Sequence, residues 1–111
     1  MTAKELANII KGILEDKKAI DIEVIEISQK TILADYFVIA SGTSVTHVKS
    51  LADEVTFQLK EEYKMLPKSV DGESTSRWVL IDFGDVVVHI FHPEDRAFYS
   101  LEKLWQAARQ A

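Results

Sequence analysis

The side chains best equipped for chemistry lie in and just beyond Trp78 to Phe91, the segment WVLIDFGDVVVHIF. Asp82, Asp85, His89 and His92 could serve there as ligands or acid–base groups, and Trp78 joins a large apolar surface to one N–H donor. Two histidines three apart would share a face of a helix, but a strand and the turn after it give them no common face, which argues against a metal pair. Asp82 and Asp85 bracket a Gly-Asp turn. They could hold a divalent cation, although turn chemistry explains Asp85 more simply. Ser41-Gly42-Thr43-Ser44 stands before a helical pattern and could cradle an anion on its backbone N–H groups. The full phosphate-loop pattern with its Lys is absent, and Ser44 reads more simply as a helix N-cap. Asp35, just ahead of an apolar strand, is expected to bond nearby backbone N–H groups rather than act in catalysis. Enzyme signals are thin.

The same segment is richer when read as a surface. A two-residue turn at Gly84-Asp85 suits a hairpin whose first turn position has φ > 0. It pairs Phe83 with Val86, Asp82 with Val87, Ile81 with Val88, Leu80 with His89, Val79 with Ile90 and Trp78 with Phe91. One face then carries Val79, Ile81, Phe83, Val86, Val88 and Ile90, has no polar side chain and must be buried. The other carries Trp78, Leu80, Asp82, Val87, His89 and Phe91. Burying a carboxylate and an imidazole inside the monomer would leave polar groups needing partners, so this second face is expected to meet a partner, with Trp78 as its anchor.

The elements that must hold this hairpin can be read from periodicity. Thr2 to Glu5 has capping-box spacing, and Leu6, Ile9, Ile10, Ile13 and Leu14 follow at helical period, predicting a helix from about residue 3 to 17. Ile20 to Ile27 reads as a strand that alternates at first and then places Ile25 and Ile27 on the opposite face. Tyr36 to Ala40 is continuously apolar, as in a central strand covered on both sides. Val48, Leu51, Ala52, Val55, Leu59 and Tyr63 form the stripe of a second helix that ends near Pro67. Lys68 to Ser76 is a polar connection with room for a short edge strand, and Pro93-Glu94-Asp95 resembles a helix start. Phe98, Leu101, Leu104, Trp105 and Ala108 mark a last stripe, with Trp105 on its core side. The order is α-β-β-α-β-β-α, an α/β (α+β) fold with a small mixed sheet and packed amphipathic helices.

Composition bounds the rest. A chain of 111 residues suits one domain, taken as 1–111, and 47% hydrophobic with 28% charged residues argues against global disorder. There is no apolar run long enough for a membrane span, and MTAKELANII lacks the layout of a secretion signal. The chain has no cysteine, so neither a disulfide framework nor a thiolate metal site is available, and a cytoplasmic protein fits best. A net charge of −5 makes free nucleic acid a poor general partner and favours a basic protein.

Leu33 to Ser44 (LADYFVIASGTS), His47 to Val55 (HVKSLADEV), Trp78 to Phe91 and Tyr99 to Trp105 (YSLEKLW), taken together and in order, resemble the ribosomal silencing factor family, RsfS, also called the Iojap family. The resemblance implies a bacterial, cytoplasmic, non-enzymatic factor without cofactor or metal. It would bind the large ribosomal subunit through large-subunit ribosomal protein fourteen, block joining of the small subunit and repress translation under nutrient limitation. Organellar relatives serve in large-subunit assembly. The fold is expected to be nucleotidyltransferase-like, and the free protein a homodimer. On this reading Trp78, Leu80 and Asp82 form the contact strand, with Asp85, Val87 and His89 beside it, and no direct nucleic-acid specificity or membrane contact is expected.

Two other readings compete. A nucleotidyltransferase-like enzyme or nucleotide binder would use Ser41, Gly42 and Ser44 for phosphate and Asp82 or Asp85 for a divalent ion, but the Asp-x-Asp pair expected after such a turn is missing. A generic dimerisation module would use the Trp78 face for self-association.

Overall fold

The computed structural model describes residues 1–28 and 34–99. Helix α1 spans Ala3–Asp16, opened by the expected capping box: Thr2 Oγ1 accepts from the Glu5 N–H, and the Glu5 carboxylate accepts from the Thr2 N–H. Strands β1 (Ile20–Glu26) and β2 (Tyr36–Ser41) follow, then helix α2 (Val45–Tyr63), whose N-cap Ser44 accepts from the His47 N–H at 3.1 Å. Three strands, β3 (Ser69–Asp71), β4 (Trp78–Asp82) and β5 (Val86–Phe91), lead into helix α3 (Pro93–Tyr99). Leu101, Leu104, Trp105 and Ala108 of the last predicted stripe lie outside the described residues.

The five strands form one mixed sheet in the order β1-β2-β5-β4-β3. Only β2 and β5 run parallel, with Phe37 opposite Val87 and Ile39 opposite His89. The hairpin has the register predicted from its sequence, from Trp78 opposite Phe91 to Asp82 opposite Val87, and the Phe83 N–H closes its turn on the Val86 carbonyl. One sequence expectation changes and another is met. Interior strand β2 is flanked by β1 and β5, while β5, not β2, is the middle of the sheet, because the connection through α2 inserts the hairpin beside β2. The polar connection does form a short edge strand, β3.

Both long helices cover the same face. Leu6, Ile10, Ile13 and Leu14 of α1 and Val48, Leu51, Val55 and Leu59 of α2 pack on Val38, Ala40, Val79, Ile81, Val86, Val88 and Ile90. Each such side chain removed from water contributes roughly 1.5–3 kcal/mol, which is the main force fixing the hairpin's orientation. Tyr63, assigned to the α2 stripe from spacing, is exposed at the last turn, just before Lys64 ends the helix in the left-handed region. In β1 the register slips between Ile20 and Glu23, with Asp21 at φ 50°. Beyond it the strand alternates regularly: Ile22 and Val24 pack against the helices, whereas Ile25, opposite Phe37, lies on the other side.

Candidate partner-binding face

With both long helices behind the sheet, the front of the hairpin carries the residues singled out from sequence. Alternation in β4 buries Val79 and Ile81 and leaves Trp78, Leu80 and Asp82 half-buried in front. On β5, Val87 is half-buried as well, whereas His89 and Phe91 are closed off, at 4% and 0% exposure. Trp78, Leu80, Asp82 and Val87 therefore form an accessible patch, Asp85 is exposed at the turn, and His89 lies beneath rather than at the surface.

Ring packing accounts for the difference. The Trp78 indole stacks on Phe91 with centroids 4.9 Å apart, and the His89 imidazole meets Phe37 edge to face at 4.6 Å. Phe37 arrives from β2 through the parallel pairing. The Trp78 Nε1–H donates to His89 Nδ1 at 3.1 Å, so the imidazole carries its own proton on Nε2. Among the described residues His89 Nε2 has no hydrogen-bond partner, and burial pulls the imidazole pKa down to about 4. The ring is thus neutral near pH 7, when Trp78 needs an acceptor.

At the other end of the patch the acids are placed by the turn. Gly84, at φ 93°, supplies the backbone conformation the hairpin needs, and its N–H donates to Asp82 Oδ1 at 2.7 Å. The Asp85 carbonyl accepts from the N–H groups of Asp35 and Tyr36, tying the turn to β2 while the Asp85 side chain stays in solvent. Edge strand β3 adds Asp71, exposed and opposite Leu80. Sequence reasoning missed both Phe37 and Asp71 as neighbours of this face. Phe37 sits in a run apolar on both sides, which hides its direction, and Asp71 depends on a three-residue strand with no periodicity to reveal it.

The other sequence candidates are occupied differently. Ser41 is buried, its hydroxyl accepting from Arg96 Nη1 at 3.1 Å, and the same Arg96 nitrogen donates to the Asp21 carbonyl at the β1 irregularity. The Gly42 N–H donates to the Phe91 carbonyl and the Thr43 N–H to His47 Nδ1, while Ser44 caps α2. The backbone donors that would have cradled a phosphate are thus largely committed. His92 Nδ1 accepts from the Glu94 N–H at the start of α3, a task separate from that of His89. Among the described residues no three His, Asp or Glu side chains gather as a metal site.

Fold and face together define a small α/β domain with a two-helix back, a mixed five-stranded sheet and an aromatic front rimmed by carboxylates. A family model described as "Ribosomal silencing factor during starvation" matches residues 1–111. The ribosomal silencing factor of Bacillus subtilis is 40% identical over 95% of this chain and 88% of its own. A mouse protein named "Mitochondrial assembly of ribosomal large subunit protein 1" is 35% identical over 93% of this chain and 46% of its own. A crystal structure from Chromobacterium violaceum superposes with a TM-score of 0.91 at 37% identity, covering 96% of this chain and 88% of that one. The chain belongs to the ribosomal silencing factor (RsfS, Iojap) family.

Proposed function

We propose that this protein silences ribosomes by docking on the large subunit, at large-subunit ribosomal protein fourteen, and obstructing the approach of the small subunit when nutrients are scarce. The observation that carries the reading is the front of the hairpin: half-buried Trp78, Leu80 and Val87 beside the carboxylates of Asp82 and Asp85, in a chain of this family. A basic ribosomal protein complements that front. Its Arg and Lys side chains pair with the acids, an apolar pocket takes Trp78, and a net charge of −5 steers the encounter. The block is steric. No bond is made or broken, and neither enzyme activity, cofactor nor metal is required. Away from the ribosome the protein is cytoplasmic and pairs as a homodimer.

Co-sedimentation with separated ribosomal subunits tests this. The wild type should travel with the large subunit alone. Trp78→Ala should weaken binding about thirtyfold, the size of a lost aromatic anchor worth roughly 2 kcal/mol. No binding to the large subunit at moderate salt would sink the proposal.

A further inference from the structure

We propose that His89 is the positioning residue for Trp78: it sits behind the docking face and fixes the indole in the orientation a partner meets. The consequence for docking rests on the function proposed above, whereas the positioning itself stands on the monomer's geometry.

Two contacts among the described residues hold the indole. Stacking on Phe91 at 4.9 Å fixes its plane loosely, because stacked rings can slide and turn. The Nε1–H to His89 Nδ1 bond removes that freedom and satisfies a donor that is costly to leave unpaired when partly buried. His89 is 4% exposed, so water cannot readily replace it as acceptor. Its Nε2 is buried without a hydrogen-bond partner among the described residues, an arrangement that calls for a reason. Service to Trp78 supplies one, since Nδ1 can accept only if the neutral ring keeps its proton on Nε2.

The charged groups around the imidazole are engaged elsewhere or lie across a neighbouring strand. Asp82 on β4 is engaged by the Gly84 N–H, and Arg96 on α3 by Asp21 and Ser41. Glu94 and Asp95 pair with Arg77. Glu23 on β1, its Oε2 buried with no hydrogen-bond partner among the described residues, lies across β2, opposite the Ile39 that pairs with His89, and Asp71 on β3 lies opposite Leu80. Among the described residues none forms an ion pair with His89.

Two substitutions separate the roles of this side chain. His89→Phe keeps a ring of similar size but removes the acceptor. His89→Asn places a carbonyl oxygen near the Nδ1 position and cannot titrate. In nitrogen-15 labelled protein the Trp78 indole N–H is identified by its loss in Trp78→Phe, and its hydrogen exchange and pH response are followed alongside large-subunit affinity. His89→Phe should speed indole exchange and weaken binding about tenfold, and His89→Asn should restore most of both. In the wild type the indole resonance should shift as acid protonates His89, and in His89→Asn it should not.

Equal indole exchange in wild type and His89→Phe would overturn the proposal. So would unchanged affinity in His89→Phe when Trp78→Ala loses binding. Should His89→Phe fail to fold, identical acid responses of the indole in wild type and His89→Asn would overturn it equally. A loosened indole in a protein whose Trp78→Ala variant still binds the large subunit keeps the positioning role and rejects the docking reading instead.

Discussion

At the scale of single residues, burial decides what each polar group on the hairpin can do. His89 has a pKa lowered to about 4 by burial, against an ordinary value near 6.5 when unfolded. In the pH range between those values the unfolded chain binds the proton that the native state refuses. Stability is therefore unaffected by His89 above the unfolded value, falls as pH drops through the window, and levels off below about 4. The full loss is of order 3 kcal/mol. Urea denaturation at pH 7 and pH 4.5 should reveal it, and His89→Asn should lose less stability between the two than the wild type. Gly72 is constrained by a different force. It lies at φ 86°, and a Cβ there would stand 2.0 Å from the Trp78 carbonyl oxygen. Gly72→Ala should cost at least about 1 kcal/mol from the backbone conformation, and more from the clash, read as a lower thermal midpoint. Asp82 and Trp78 were recognisable from residue type and register alone. That His89 is buried was not, because Phe37, which packs against it, comes from a strand more than forty residues earlier.

At the scale of elements, the chain is most legible where local chemistry and packing agree. The capping box of α1, the Ser44 cap of α2 and the Gly84-Asp85 turn each follow from a few neighbouring residues, and all three form where expected. Ser44→Ala should destabilise the protein by about 1 kcal/mol, since it strips the acceptor from the His47 N–H, and a shifted urea midpoint with unchanged slope would verify it. The start of α3 is secured over distance. Arg77, on the approach to β4, donates to Asp95 at 2.7 Å and to Glu94 at 3.2 Å, and the His92 N–H donates to the Arg77 carbonyl. Arg77→Ala should loosen this junction beside Trp78 with little effect on global stability, as the guanidinium is partly solvent-exposed. Faster amide exchange at residues 93–96 with a nearly unchanged thermal midpoint is the expected result. Neither this link nor the position of β5 at the middle of the sheet could be read from local pattern. Both depend on which strands meet across long connections.

At the scale of the whole molecule, the two long helices pack on one face of the sheet and the hairpin presents Trp78, Leu80, Asp82 and Val87 on the other. This division explains how one short hairpin can both anchor the core and offer a distinct surface: alternating residues serve opposite sides. The net charge of −5 adds a long-range contribution. If the large-subunit partner is basic, raising salt from low to physiological strength should slow association much more than dissociation. Stopped-flow binding would distinguish these two effects. The proposed block is steric: this front occupies the large subunit and thereby keeps the small subunit away. Its most direct test is subunit joining followed by light scattering, with increasing amounts of wild-type protein or Trp78→Ala added to the large subunit beforehand. Joining should fall with wild-type dose, and Trp78→Ala should require about thirtyfold more protein for the same effect. Joining unaffected by the wild type, or blocked equally well by Trp78→Ala, would contradict it.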